Sequence, residues 1–134
     1  MEHFNHLALF VCAVSIFVLG APWYSPALFG KAWARANGTP TEGDKPKGKH
    51  PARVYGVAFL MAWIAAYAFA ILVGHQASLH HWLHHGLVCG AGIAGTSFAI
   101  NYQFANRSTT LLLIDAGYHI VQFVLYGLIL GLWQ

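Results

Sequence analysis

The sequence predicts an all-α membrane protein with four transmembrane helices and a short amphipathic interfacial helix after the first. Three observations carry that prediction. Apolar residues make up 57% of the chain and charged residues only 8%, against roughly 25% charged in soluble proteins. Four apolar stretches are each about long enough, at 1.5 Å of rise per residue, to cross a hydrocarbon layer. The seven Lys and Arg residues fall only in the first and third connections between those stretches, as expected when alternate connections face the cytoplasm. At 134 residues the chain is read as one domain, 1–134.

The first stretch, residues 4–22, is preceded by no Lys or Arg and followed by no A-x-A-like site. It is therefore expected to be a mature helix rather than a signal peptide. Trp23 and Tyr24 suit headgroup level. Ser25-Pro26 is an N-cap and N1 signal and Asn37-Gly38 a stop signal. Between them Leu28, Phe29, Ala32, Trp33 and Ala36 line one side, and Lys31 and Arg35 the other. The spacing predicts a helix over about 26–36 lying in the membrane interface. Residues 38–53, rich in Gly, Pro, Thr and Lys, read as a solvated cytoplasmic loop.

The second crossing, 54–74, carries no charge and measures roughly 31 Å as a helix. Ser78 is placed to cap the third, 79–104, which opens with His80, His81, His84 and His85. Small residues then recur four apart (Gly86, Gly90, Ala94; Ala91, Gly95), a pattern that lets membrane helices approach closely within or between chains. A tight turn and a Ser108 cap lead into the fourth crossing, 109–133, with its own Gly127-x-x-x-Gly131. Cys12 and Cys89 both fall in apolar stretches and are expected to act as small hydrophobes, not as a disulfide.

That last helix carries the chemistry-bearing stripe. Asp115, His119, Gln122 and Tyr126 recur at i, i+4, i+7 and i+11 and share one face. A carboxylate one turn from an imidazole can hold and pass a proton, and ionisable residues inside membranes mark proton or ion pathways. The competing reading is that Asp115 accepts bonds from Asn101, Thr96 or Tyr102 on the third helix and fastens the bundle. The His80, His81, His84 and His85 run offers i, i+4 pairs, the spacing by which a helix presents two imidazoles to one divalent metal. No other cofactor is expected. A tolerated interfacial histidine run is the plainer reading.

The run Asn5-His6-Leu7-Ala8, with Phe17-x-x-Gly20-x-x-Trp23-Tyr24-Ser25-Pro26-x-x-Phe29-Gly30-x-x-Trp33, resembles the opening of a family of small bacterial membrane proteins. It is the family catalogued as domain of unknown function 1761. Ile114-Asp115-Ala116-Gly117-Tyr118 is similar to that family's last-helix pattern. The resemblance implies a four-helix integral-membrane domain and carries over no activity or catalytic residue. It covers nearly the whole chain apart from the 38–53 loop and the His-rich connector.

Enzyme signatures are absent: no Gly-x-Ser-x-Gly, no phosphate loop, no His-Glu-x-x-His, and no basic-aromatic surface for nucleic acid. The chain is expected to be a non-enzymatic protein of a bacterial inner membrane. Its partners are the lipid bilayer and either further copies of itself or the subunits of a membrane complex. A proton-coupled or ion-conducting transporter using Asp115 and His119 is the alternative, and metal binding by the His cluster a second. Both termini and the His-rich connector are expected outside, and the Lys/Arg connections inside.

Overall fold

The computed structural model describes residues 3–38 and 48–134. Among them there are helices and no strands: α1 (His6–Trp23), α2 (Gly30–Asn37), α3 (Pro51–Val73), α4 (Leu79–Leu87), α5 (Thr96–Phe104) and α6 (Thr109–Leu132). Between α4 and α5 the chain passes through a π-helical segment, Val88–Gly95, without leaving the helix axis, so Leu79–Phe104 forms one crossing. The four crossings His6–Trp23, Pro51–Val73, Leu79–Phe104 and Thr109–Leu132 are long and apolar enough to span a bilayer. The protein is a multi-pass membrane protein. Most of the expected 38–53 loop lies outside the described residues.

Local chemistry sets the helix ends. Asn5 accepts from Ala8 N, Ser78 Oγ from His81 N and Ser108 Oγ from Leu111 N, each supplying a cap for otherwise unpaired amides. The third element begins at Pro51 rather than at residue 54, because His50 accepts from Ala52 N and Pro51 occupies the first turn. The short helix departs from expectation at its start. Ser25 does not cap it: its Oγ donates to Pro22 O, and residues 25–29 form a turn. That turn is closed by Phe29 N donating to Trp23 O and Gly30 N to Ser25 O. A Cβ on residue 30 would sit 2.4 Å from Tyr24 O and 2.8 Å from Ser25 O, both backbone atoms. Only glycine fits there, and the helix starts at that glycine. It stops at Gly38, which takes the left-handed conformation (φ 69°).

Packing is centred on α6, which touches α1, α2, α4, the π segment and α5; α3 packs chiefly on α1. The tightest crossing is α4 and the π segment against α6. A Cβ at Gly86 would meet Phe123 O at 2.5 Å, at Gly90 Ile120 Cα at 2.7 Å, and at Gly127 Trp82 O at 2.5 Å. The glycines of the third and fourth crossings are therefore used within one chain, where backbone meets backbone. Gly92 faces open space. Only the second half of α3 enters the core, through Ala62, Ala66, Phe69 and Ala70, while Val54, Tyr55 and Val57 at its start are exposed. Cys12 and Cys89 are buried and unpaired with each other.

The two ends of the bundle are each tied together. Arg107, in the third connection, donates to Asn37 at the end of α2, so the first and third connections share one side. At the opposite end Asn5 Nδ2 donates to Trp133 O and Gln134 Nε2 to Ala77 O, joining both terminal regions to the second connection.

Candidate functional site

The polar stripe of α6 divides into two networks. Asp115 is the acceptor of the first. Tyr24 Oη donates to its Oδ1 at 2.7 Å, Trp33 Nε1 to the same oxygen at 3.1 Å, and Tyr102 Oη to Oδ2 at 2.5 Å. These donors come from the turn after α1, from α2 and from α5, so one carboxylate gathers three elements onto α6. Trp23 adds a fourth tie beside it, Nε1 donating to Ile114 O at 3.0 Å. Gly117 makes room for that indole: a Cβ there would lie 3.2 Å from its ring. Phe29 stacks obliquely on Trp23 (4.8 Å between centroids), and Tyr24 lies edge-on to Trp33. Tyr24 is partly exposed and otherwise buried, with its hydroxyl on the Asp115 carboxylate. That burial first, and its bond to the Asp115 carboxylate second, hold the phenol above the ordinary tyrosine range. It stays a hydrogen-bond donor at neutral pH.

The Trp23, Tyr24, Ser25, Pro26, Phe29, Gly30 and Trp33 motif and the Asp115-centred pattern, 114–118, are thus one structural unit. Sequence reasoning treated them as separate features, the first as an interfacial anchor. A signal was present. The motif brings tyrosine and tryptophan donors to a membrane boundary, and a buried donor needs an acceptor. Asp115 is the one acid not placed at the start of the chain or in the 38–53 loop.

The second network runs from His119 toward the core. His119 Nδ1 pairs with Gln122 Oε1 at 2.6 Å, Gln122 Nε2 donates to Tyr126 Oη at 2.9 Å, and Tyr126 Oη donates to Ala62 O on α3 at 3.1 Å. Gln122 is 6% exposed and Tyr126 fully buried. Tyr118, on a neighbouring face, donates to Ile16 O at 2.7 Å. No hydrogen bond joins Asp115 to His119 among the described residues. Of the expected partners of Asp115, Tyr102 is one. Thr96 bonds back to its own helix at Gly92 O and Ile93 O, and Asn101 is exposed, outside both networks.

The histidine run lies at the opposite end. His81 and His85 rings sit 4.0 Å apart, with His85 Nδ1 against His81 O at 2.9 Å; His80 and His84 are 6.5 Å apart. Among the described residues no three His, Cys, Asp or Glu side chains converge as a metal would require.

Neither a curated protein nor a solved structure matches the chain. One family model does, over residues 7–131, and on that match the chain belongs to the family described as protein of unknown function (DUF1761).

Proposed function

We propose that this protein is a non-enzymatic membrane bundle that acts through packing, as a homo-oligomer or as a subunit of a larger membrane complex, with Asp115 as its fastener. The observation behind this reading is the three-donor grip on Asp115. A carboxylate that conducts protons must exchange partners during each cycle. One held by three side chains from three elements is suited instead to fixing their positions. The basic connections are proposed to be cytoplasmic and the termini external, in a bacterial inner membrane. The excess of Lys and Arg at one end and its absence at the other support that orientation.

Two measurements on protein purified into nanodiscs test the reading. Native mass is expected to show a defined multiple of the chain or a stable complex. A proteoliposome flux assay with wild type and Asp115→Asn is expected to show no transport in either. Proton or cation flux in wild type that Asp115→Asn abolishes, with native mass unchanged, would replace this reading by the transporter.

A further inference from the structure

We propose that a groove between α1, α3 and α6 binds a membrane-soluble molecule carrying a hydroxyl group on an apolar tail, and that the hydroxyl donates to Nε2 of His119. The groove has a volume of ≈ 350 Å³ and is lined by Ile16, Ala58, Ala65, His119, Gln122 and Phe123 among others. α3 packs chiefly on α1 and meets α6 at few points, and the start of α3 is exposed. A second groove of ≈ 510 Å³ shares Ile16, Ala58 and Tyr118 with it and extends to Tyr24 and Tyr55, giving a tail a continuous apolar bed toward the bundle's basic end.

The polarity of the site follows from the hydrogen-bond chain. Ala62 O can only accept, so the Tyr126 hydroxyl donates to it. The Tyr126 oxygen then accepts from the Gln122 amide, which fixes that amide's orientation and turns Oε1 toward His119. Oε1 can only accept, so His119 Nδ1 carries the proton. The neutral ring is left with a lone pair on Nε2. Phe98 covers one face of the imidazole at 4.9 Å. Among the described residues Nε2 has no hydrogen-bond partner, His119 is half-buried, and the sealed, unpartnered side-chain nitrogens are those of Trp63 and Trp82 instead. His119 lies about 15 Å along α6 from its start, near the middle of a bilayer. Water is scarce at that depth and an unmet acceptor is costly. The complement to this site is one O–H donor attached to an apolar body, such as an alkylphenol or a long-chain alcohol. An ether or a plain acyl chain has no hydrogen to offer.

The test uses the full chain, ¹⁵N-labelled at histidine, in phosphatidylcholine nanodiscs. His119 resonances are assigned by their loss in His119→Phe. The free protein is expected to show the Nδ1–H tautomer. Titration with 4-octylphenol is expected to shift Nε2 saturably, and its methyl ether, 4-octylanisole, to bind roughly tenfold more weakly for want of the hydrogen bond. Ala58→Phe, which fills the groove without touching the polar chain, is expected to remove the saturable shift and keep the tautomer. An Nε2–H tautomer, equal affinity for phenol and ether, or a shift that rises without saturating as the probe merely partitions into lipid would each overturn the proposal. These readouts are independent of native mass and flux, so this site and the packing role stand or fall separately.

Discussion

Replacing Asp115 with Ala removes the acceptor for Tyr24, Trp33 and Tyr102 at once. Hydrogen bonds between membrane helices contribute about 0.6 kcal/mol on average and up to about 1.7. Three of them therefore place the loss at about 2–5 kcal/mol, with the Tyr24 share toward the low end because that residue is partly exposed. Asp115→Asn keeps one acceptor oxygen and sets an amide donor against hydroxyl or indole donors, so its loss is expected to fall between alanine and wild type. The assay is reversible unfolding of purified protein in mixed micelles by added dodecyl sulfate, followed by tryptophan fluorescence. A double-mutant cycle with Trp33→Phe isolates one arm of the cage and is expected to show a coupling of about 1 kcal/mol. An Asp115→Ala variant within about 0.5 kcal/mol of wild type, or zero coupling to Trp33, would refute the claim that this carboxylate fastens the bundle.

Further outcomes follow from the same geometry. Gly30→Ala forces a Cβ to 2.4 Å from Tyr24 O and should cost about 1–3 kcal/mol, the range for overpacking, in the same unfolding assay. Gly86→Val should likewise separate α4 from α6, whereas Gly92→Ala, which meets nothing within 4 Å, should leave stability unchanged or raise it. Zinc titrated into purified protein should show no stoichiometric high-affinity site, and His81→Ala with His85→Ala should leave the isotherm unaltered; a defined ratio lost in that variant would restore the metal reading. For orientation, a cysteine at Gln76→Cys should react with a membrane-impermeant maleimide on intact spheroplasts, and one at Lys49→Cys only after permeabilisation. The reverse pattern would invert the topology.

Hydropathy and basic-residue placement made the four crossings legible, since both depend on composition along the chain rather than on contacts across it. Ser78 and Ser108 were legible as caps because a cap acts within four residues. What escaped was set by distance in sequence. Helical periodicity assigns Asp115 and His119 to one face, but it cannot say that Tyr24 and Trp33, 91 and 82 residues away, meet the first of them and not the second. The start of α2 was misplaced for a related reason. Ser25-Pro26 has the local form of a helix start, and only the packing of Gly30 onto the Tyr24 and Ser25 carbonyls shows that a turn intervenes. The π segment Val88–Gly95 left no hydrophobic-period signature in a stretch made almost wholly of Gly, Ala and small aliphatic residues.

The division of the α6 stripe bears on any ion-coupled role as well. For Asp115 to release or take a proton while moving it, Tyr24, Trp33 and Tyr102 must give up bonds worth about 2–5 kcal/mol together, and the three elements that carry them must loosen. His119 is placed differently. Its Nδ1 is anchored by a chain ending on a backbone carbonyl of α3, and its other nitrogen has no hydrogen-bond partner among the described residues. One ring edge is fixed and the other open, the arrangement of a side chain that meets something from outside. If flux were ever observed, His119 rather than Asp115 would be the group able to exchange partners without dismantling the fold. Loss of assembly in Asp115→Ala alongside an assembled His119→Phe that has lost its ligand response would separate the two roles. Equal loss of assembly in both variants would show that the stripe acts as one structural unit after all.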